Sequence, residues 1–118
     1  MFLVAEDDDG VLLGLASAGA GDDETSGSFA EIGSLYVLPD RHGQGVGGSL
    51  LKAACRELVD LGYSALRIGV LAANLPARAF YQAMGGREVD QRMFDEEGHL
   101  LPMTVYAWAD ITTVAYRG

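Results

Sequence analysis

Cysteine is nearly absent from the sequence, which has Cys55 alone among its 118 residues. A single cysteine excludes an intrachain disulfide and a cysteine-based metal centre, and we expect no bound metal. Basic residues are also few, because eight Lys and Arg stand against seventeen Asp and Glu, which gives a net charge of −9. Such an acidic surface repels nucleic-acid backbones and anionic membranes, so we expect neither as a partner. It favours a cationic molecule such as an amine.

Long apolar runs are missing as well. No stretch approaches the roughly 18 consecutive apolar residues that a membrane span needs. The first nine residues lack the basic segment and the long apolar core of a signal peptide. We therefore expect a soluble, cytoplasmic protein. The length predicts one domain over residues 1–118, since neither a linker nor an internal repeat divides the chain.

The residues that are present alternate between short apolar runs and turn signals, with two helical patterns among them. Strands are predicted at Phe2–Ala5, Val11–Ala18, Phe29–Leu38, Ser64–Leu71, Arg87–Phe94 and His99–Ala109, and helices at about Gly45–Leu61 and after Asn74. The nearly continuous apolar character of Val11–Ala18 is typical of a strand covered on both faces. The tail, Asp110–Gly118, is predicted to extend the last strand or to fray.

The order of these elements, β-β-β-α-β-α-β-β, predicts an α/β protein of the α+β type with a mixed sheet. The strand–helix–strand passage from Phe29 to Leu71 predicts a right-handed βαβ unit with two parallel strands. On the first helix, apolar residues recur at helical spacing and form one stripe. The stripe consists of Val46, Leu50, Leu51, Ala54, Leu58 and Leu61.

A glycine-dense loop leads into this helix. Gly43, Gly45, Gly47 and Gly48 fall within six residues, at the point where the helix must start. Glycines at a helix N-terminus leave backbone N–H groups accessible, with the positive end of the helix dipole behind them. The pattern indicates a binding site for a pyrophosphate group. A Walker loop is excluded because no lysine precedes Ser49. A Rossmann loop is excluded because it would follow the first strand, whereas this loop follows the third predicted strand.

A second motif follows the βαβ unit. It reads Asn74-Leu-Pro-Ala77-Arg-Ala-Phe80-Tyr81 and is followed by Met84-Gly-Gly86. Asn74 is suited to cap a helix that has Pro76 in its first turn. The glycine pair predicts the end of that helix.

Together the two motifs resemble those of the GNAT superfamily of acyl-CoA-dependent N-acyltransferases. Members carry Arg/Gln-x-x-Gly-x-Gly/Ala between the fourth strand and the third helix, where this chain has His42-Gly-Gln-Gly-Val-Gly47. They also carry Asn-x-x-Ala-x-x-Phe-Tyr, which is similar to Asn74–Tyr81. The resemblance covers roughly Val11–Ala109. It implies a GNAT-like fold whose central parallel βαβ unit splays to bind acyl-CoA.

The resemblance implies that acetyl-CoA is the co-substrate and that a primary amine, on a small molecule or a peptide, attacks its thioester directly. The alternative is a non-catalytic acyl-CoA-binding or assembly module with the same fold. The implied cofactor-binding residues are Leu35, Tyr36, Val37, Arg41, His42, Gly43, Gln44, Gly45, Val46, Gly47, Gly48, Ser49, Asn74, Ala77 and Phe80. Since His42 stands where Arg or Gln is usual, we expect the loop to bind phosphates mostly through its backbone, with Arg41 or His42 adding charge.

Two residues are implied to be catalytic. Tyr81 corresponds to a tyrosine that protonates the departing thiolate in many relatives, and the alternative is that it packs beside Phe80 in the core. Glu31 corresponds to a glutamate that deprotonates the amine in some relatives, and the alternative is a surface residue at a strand end. Cys55 is predicted to be a small buried side chain rather than a nucleophile. Direct transfer from the thioester to the amine needs no covalent intermediate on a cysteine.

The chain departs from the family at its beginning. It starts where the family's second strand would be, so the first strand and the two helices that commonly cover the acceptor site have no counterpart. The chain is a fragment, or it starts late, or a partner chain supplies this cover. The sheet edge that these elements would leave open predicts a homodimer.

Overall fold

The computed structural model describes residues 1–21, 29–38 and 45–116. The strands in these ranges are β1 (Phe2–Glu6), β2 (Leu12–Ala20), β3 (Phe29–Val37), β4 (Ala65–Leu71), β5 (Arg87–Glu96) and β6 (His99–Trp108). The helices are α1 (Val46–Asp60), α2 (Leu75–Ala83) and α3 (Thr112–Ala115). All six strands and both longer helices lie within a few residues of their predicted limits.

The six strands form one mixed sheet in the order β1-β2-β3-β4-β6-β5. β3 and β4 are parallel, because α1 returns the chain from one end of the sheet to the other between them. The other neighbouring strands in the described ranges are antiparallel. The predicted α+β fold class and its central parallel βαβ unit are therefore confirmed.

Helices α1 and α2 pack on the same face of the sheet, which we name the helix face. Alternate residues of a strand point to opposite faces, so each strand contributes every second side chain to this core. The buried cluster joins both helices to β4 and β6, and includes Leu51, Cys55 and Leu58 of α1, Tyr81 of α2, Leu66, Ile68 and Val70 of β4, and Tyr106 and Trp108 of β6. The opposite side, which carries Glu31, Arg67, Gly69, Met103 and Val105, is named the open face.

Two expectations about burial are wrong. β2 is not covered on both faces, because Gly14, Ala16 and Ala18 are buried while the residues between them are half-buried. Both long helices lie on the helix face, so the second face of β2 has no helix against it within the described ranges. The apolar stripe of α1 is buried at Leu50, Leu51, Ala54 and Leu58, but Leu61 lies beyond the helix end and is exposed.

The tail neither extends β6 nor frays over its described part. It turns into the short helix α3, with Ile111, Val114 and Ala115 buried. These residues recur at the i, i+3, i+4 spacing that places side chains on one face of a helix, and α3 packs against α1. The guanidinium Nε of Arg56 donates to the Ala115 carbonyl at 2.7 Å, and the Ile111 N–H donates to the Ser64 carbonyl at 3.0 Å. Apolar spacing decides the conformation of this segment.

Candidate active site

The two parallel strands part halfway along their length. The ladder between β3 and β4 ends at the pair Ile32–Ile68, although β3 continues to Val37 and β4 to Leu71. Over the same stretch β3 stays paired with β2, and β4 stays paired with β6. The sheet is therefore split by a V-shaped gap, whose narrow end lies at Ile32–Ile68.

A β-bulge in β3 lies at this narrow end. Ser17 of β2 pairs with Ser34 and Ala18 pairs with Ile32, so Gly33 is an extra residue in β3. A bulge bends its strand and increases the local twist. The bulge therefore gives a physical reason why β3 turns away from β4 directly after Ile32.

α1 begins at the wide end of the gap, because it follows β3 in the chain. Gly45 precedes it with φ +78°, a left-handed conformation that glycine adopts without strain. The Ser49 N–H donates to the Gly45 carbonyl at 3.0 Å, so the N–H groups of Val46, Gly47 and Gly48 come too early for an intrahelical partner. No acidic side chain lies in the first turn. This helix start is therefore suited to an external anion.

The two glycines inside α1 are there for different reasons. A Cβ at Gly47 would come within 3.4 Å of the Phe80 ring, so this glycine allows α1 and α2 to approach closely. Among the residues that the structure describes, a Cβ at Gly48 would meet nothing nearer than the Met84 sulfur at 4.0 Å. Since glycine in a helix interior costs about 1 kcal/mol relative to alanine, neither packing nor helix propensity explains Gly48. The predicted role of Gly48 in binding the cofactor through its backbone stays a prediction.

The remaining predicted cofactor residues lie in two groups. On β3, Leu35 packs against the core, Val37 is half-buried, and Tyr36 is half exposed. The loop residues Arg41, His42, Gly43 and Gln44 lie outside the described residues. Their predicted phosphate contacts therefore stay predictions, as does the role of each β3 residue.

Asn74 caps α2 as the sequence predicts. Its Oδ1 accepts a hydrogen bond from the Ala77 N–H at 3.2 Å, and a proline occupies the first turn. Ala77 and Phe80 are half-buried and pack against the core cluster. The contacts of Asn74 thus support its capping role, while cofactor contacts of these three residues remain predictions.

Tyr81 is buried on the helix face, with 7% of its surface exposed. Its ring centroid lies 5.3 Å from that of Phe80 and 6.1 Å from those of Tyr106 and Trp108, with Trp108 edge-on at 86°. Burial raises the pKa of the Tyr81 phenol above its ordinary value of 10.0, so the phenol is protonated at neutral pH. The ring is part of the core, and its hydroxyl retains the proton that a general acid donates.

Two aromatic residues of β6 hold α2 against the sheet and were not predicted as site residues. The fully buried Tyr106 hydroxyl accepts from Arg78 Nε at 3.1 Å and from Gln82 Nε2 at 3.2 Å. Both donors lie on α2, on either side of Tyr81, so Tyr106 fixes the position of that helix. The alternation of apolar residues in β6 indicates which side chains face inward, but no motif marks Tyr106.

Trp108 fixes the end of α2. Its indole Nε1 donates to the Met84 carbonyl at 3.0 Å, and a Cβ at Gly86 would lie 2.7 Å from the indole ring. Gly85 adopts φ +94° at the helix end. The glycine pair predicted to stop α2 therefore has two separate functions, since Gly85 supplies the turn and Gly86 makes room for Trp108.

A cavity of about 210 Å³ opens on the open face beside the narrow end of the gap. It is lined by Glu31, Ile32, Arg67, Gly69, Arg92, Met93, Phe94, Met103 and Val105. Glu31 is half-buried and is paired in register with Arg67 on the adjacent strand. Glu31 was the one cavity residue predicted as a site residue; apart from its neighbour Ile32, the others come from β4, β5 and β6 and share no local motif.

Glu31 and Tyr81 lie on opposite sides of the sheet. Glu31 immediately precedes Ile32, the last paired residue of β3, and lines the cavity on the open face. Tyr81 belongs to the same buried cluster as Ile32 and Ile68 on the helix face. The two predicted catalytic residues therefore face opposite sides of the sheet.

Other candidate groups lie apart from this arrangement. Cys55 is fully buried, and burial raises the pKa of its thiol to about 11, so it is a poor nucleophile at neutral pH. His99 is exposed at the start of β6. In residues 1–21, 29–38 and 45–116, no group of three or more His, Cys, Asp or Glu side chains is placed to hold a metal ion. None of the helices described is long and apolar enough to cross a membrane.

Residues 1–86 match the family model described as Acetyltransferase (GNAT) family. This is most of the 118-residue chain, so the chain belongs to the GNAT acetyltransferase family. The resemblance inferred from the glycine loop and from Asn74–Tyr81 is thereby confirmed. The matched range ends at Gly86, before β5 and β6, which carry half of the cavity lining.

Individual relatives agree with this family. The chain is 32% identical over 111 residues to the uncharacterized N-acetyltransferase YuaI of Bacillus subtilis (strain 168), covering 94% of this chain and 64% of the relative. It is 35% identical over 86 residues to the mycothiol acetyltransferase of Clavibacter sepedonicus, covering 73% of this chain and 27% of that protein. The chain thus spans less than two-thirds of the length of either curated relative.

Solved structures share the fold. The structure of yncA from Salmonella typhimurium with its cofactor acetyl-CoA superimposes with a TM-score of 0.77 at 26% identity, over 92% of this chain and 64% of that chain. An N-acetyltransferase from Staphylococcus aureus Mu50 gives a TM-score of 0.78 at 23% identity, over 93% of this chain and 67% of that chain. The sheet and its helices are therefore those of a GNAT fold.

Proposed function

We propose that this chain is an N-acetyltransferase that transfers the acetyl group of acetyl-CoA to a primary amine. The observation that carries the proposal is the gap between β3 and β4, which runs from Ile32–Ile68 to the start of α1. An extended molecule in this gap can bond to the main chain of β3 as an added strand does. Family membership and the acetyl-CoA in the yncA structure support the same co-substrate.

The start of α1 fits the pyrophosphate of this co-substrate. The N–H groups of Val46, Gly47 and Gly48 precede the first intrahelical donor, and the first turn carries no carboxylate to compete with a phosphate. Within the described ranges only the Met84 sulfur, at 4.0 Å, lies near a Cβ built at Gly48, so these residues leave its backbone open to an anion. The pantetheine arm would then follow the gap from α1 toward Ile32, which brings the thioester to the narrow end.

The reaction needs two proton transfers at that end. A neutral amine nitrogen attacks the thioester carbonyl carbon, the new C–N bond forms, and the C–S bond breaks. The attacking nitrogen loses one proton and the departing thiolate gains one, so protons balance. Glu31 takes the first proton, directly or through water, because it lies on the open face from which the amine enters. Tyr81 gives the second from the helix face and recovers a proton from solvent.

Positioning accounts for most of the expected rate enhancement. The gap holds the thioester beside the cavity, and effective molarities for well-oriented reactants reach about 10⁵–10⁸ M. General acid–base catalysis adds typically about 10²–10⁴-fold for a well-placed group. Tyr106 and Trp108 contribute indirectly, because they hold the helix that carries Tyr81.

Calorimetric titration with acetyl-CoA and a thiol-release assay over a panel of primary amines test the proposal. We expect micromolar binding of acetyl-CoA and release of CoA that depends on the amine. No heat and no thermal shift at millimolar acetyl-CoA would contradict the proposal. Binding without turnover on every amine tried would instead indicate a non-catalytic acyl-CoA-binding module.

We further infer a cytoplasmic homodimer. The edge strands β1 and β5 expose apolar side chains, including Phe2 at 65% and Val89 at 53%, and unpaired strand edges readily associate. The single buried thiol needs no oxidising compartment. Light scattering should give twice the chain mass of 12.5 kDa. A 12.5 kDa species at high protein concentration would contradict the dimer, and recovery outside the cytoplasmic fraction would contradict the location.

A further inference from the structure

We propose that the acceptor is an α-amino acid with an apolar side chain, so that it carries a carboxylate beside the amine that is acetylated. The inference rests on the proposed acetyl transfer and concerns the cavity on the open face. This cavity combines one carboxylate, Glu31, with two guanidinium groups, Arg67 and Arg92, and an apolar wall. Two of the eight basic residues in a chain with net charge −9 thus line one cavity.

Glu31 and Arg67 are not paired with one another. The Arg67 guanidinium lies over the Phe29 ring, with its carbon 4.7 Å from the ring centroid. Within the described ranges the ion pairs are Arg78–Glu88 and Arg92–Asp90, which include neither Glu31 nor Arg67. An acidic and a basic residue therefore line one cavity without forming an ion pair with each other.

Their spacing suits a zwitterion. Glu31 and Arg67 are register partners on adjacent parallel strands, whose axes are about 4.8 Å apart. An α-amino acid carries its ammonium and carboxylate on one carbon, so one group can approach Glu31 while the other approaches Arg67. Guanidinium binds carboxylate through two parallel hydrogen bonds. Glu31 then also lies where it can take the ammonium proton and pass it to solvent, after which it is free to accept the second proton from the attacking nitrogen.

Arg92 contributes less to this recognition than Arg67. Its Nε bonds to Asp90 at 2.9 Å, and this hydrogen bond is the main reason why the pKa of Asp90 is lowered, with a smaller contribution from the charge of Arg67. Asp90 is therefore ionised at neutral pH and balances Arg92. Arg67 is left as the principal cation for an incoming carboxylate.

The rest of the cavity limits the size and polarity of the acceptor. Phe94, Met103 and Val105 form its apolar wall. The cavity volume of about 210 Å³ suits a single amino acid. Large acceptors need the roughly 300–1,000 Å³ of typical ligand pockets.

The test compares methionine with two analogues of nearly the same shape. The first, 3-(methylsulfanyl)propylamine, lacks the carboxylate, and the second, methioninamide, has an uncharged amide in its place. Thiol release from acetyl-CoA gives kcat/KM, and calorimetry measures binding of each compound to the protein with CoA present. We expect methionine to be preferred at least tenfold in both measurements. Arg67→Gln should reduce that preference to within about twofold. Arg87→Gln is the matched control and should keep the wild-type preference, because Arg87 lies on the edge strand β5 and does not line the cavity.

The outcomes separate this inference from the proposed function. Acetylation of the propylamine and methioninamide as fast as methionine would overturn the amino-acid assignment and leave the acetyltransferase intact. An unchanged preference in Arg67→Gln would also overturn it. Carboxylate-dependent binding of methionine without CoA release would support the acceptor class and count against the enzyme.

Discussion

The two sides of the gap between β3 and β4 are built in different ways. On the helix face, the groups offered to a ligand are backbone N–H groups at the start of α1 and a phenol enclosed by three aromatic rings. On the open face they are the charged side chains of Glu31, Arg67 and Arg92 around a half-open cavity. The first side depends on packing that tolerates little change, and the second depends on side chains that substitution can alter without disturbing the core.

This difference matches the two ligands of the proposed reaction. Acetyl-CoA is common to acyl-CoA-dependent acetyltransferases, and a site made of backbone and packed rings binds it without depending on surface side chains. The acceptor must be distinguished from other amines, and discrimination between similar molecules needs specifically placed polar groups. Substitutions on the helix face should therefore have large effects on activity, stability and acetyl-CoA binding that can be measured separately.

The largest effect is expected from Tyr81→Phe. Removal of the hydroxyl leaves the ring contacts with Phe80, Tyr106 and Trp108 in place but removes the proposed acid. We expect kcat to fall by about 10²–10⁴-fold, with acetyl-CoA affinity within about twofold of wild type. Steady-state kinetics with thiol detection, combined with calorimetry, measures both quantities.

The pH profile provides the control for this substitution. An acid is active while protonated, so its contribution is present below its pKa and is lost as the pH rises through it. Burial raises the pKa of Tyr81 above 10.0, so kcat of the wild type should show no loss due to this group between pH 7 and about pH 10. If Tyr81→Phe reacts as fast as the wild type, Tyr81 is not the acid and contributes only to packing.

The second effect concerns the packing that holds α2. Gly86→Ala places a Cβ 2.7 Å from the Trp108 ring and 3.0 Å from the Tyr81 carbonyl, so backbone or indole must move. Overpacking of this kind costs about 1–3 kcal/mol, and we expect the free energy of unfolding to fall by that amount in urea titrations. Activity should fall with it, because the displaced segment follows Tyr81 directly.

Gly19→Ala is the matched control for Gly86→Ala. Gly19 is exposed in β2, its φ is not positive, and a Cβ there meets none of the described residues within 4 Å. The free energy of unfolding of Gly19→Ala should differ from that of the wild type by no more than about 0.5 kcal/mol. Equal stability changes in the two variants would show that the contact between Gly86 and Trp108 has no special weight.

How much of this arrangement the sequence predicts depends on whether the signal is local. The strands, the cap at Asn74 and the glycines at the start of α1 were predicted because each is encoded by residues within one turn or one strand. The prediction for the tail was wrong because the helical spacing of Ile111, Val114 and Ala115 extends over a single turn. The burial of these three residues depends on α1. Local patterns do not report such long-range contacts.

The cavity shows the same limit more clearly. Glu31 was predicted through a resemblance, whereas Arg67 and Arg92 look like ordinary surface residues until the register of β3 and β4 and the hairpin of β5 and β6 bring them together. Tyr106 and Trp108 lie more than twenty residues after Tyr81 and were missed for the same reason. Sequence motifs therefore predicted the proposed cofactor side better than the proposed acceptor side.

The smallest effect, and the one that tests the backbone site most directly, is expected from Gly48→Ala. The new Cβ has room among the described residues, since the nearest of them is the Met84 sulfur at 4.0 Å. Alanine also favours a helix interior by about 1 kcal/mol over glycine. The melting temperature should therefore rise. Because Cβ atoms tilt toward the helix N-terminus, the methyl group should also crowd a pyrophosphate at the N–H groups. The affinity for acetyl-CoA should therefore fall about tenfold, which corresponds to a loss of about 1.4 kcal/mol of binding free energy.

A second acetyl donor makes the result on Gly48→Ala specific. Acetyl-pantetheine lacks the pyrophosphate, so its kcat/KM should stay within about twofold of wild type while that of acetyl-CoA falls. Equal losses with both donors would assign the effect to a shifted α1, which the melting temperature would report independently. Unchanged acetyl-CoA affinity in a stabilised variant would place the pyrophosphate away from this helix start. A variant that gains stability and loses only the phosphate-dependent part of binding would show that Gly48 is kept for its exposed backbone.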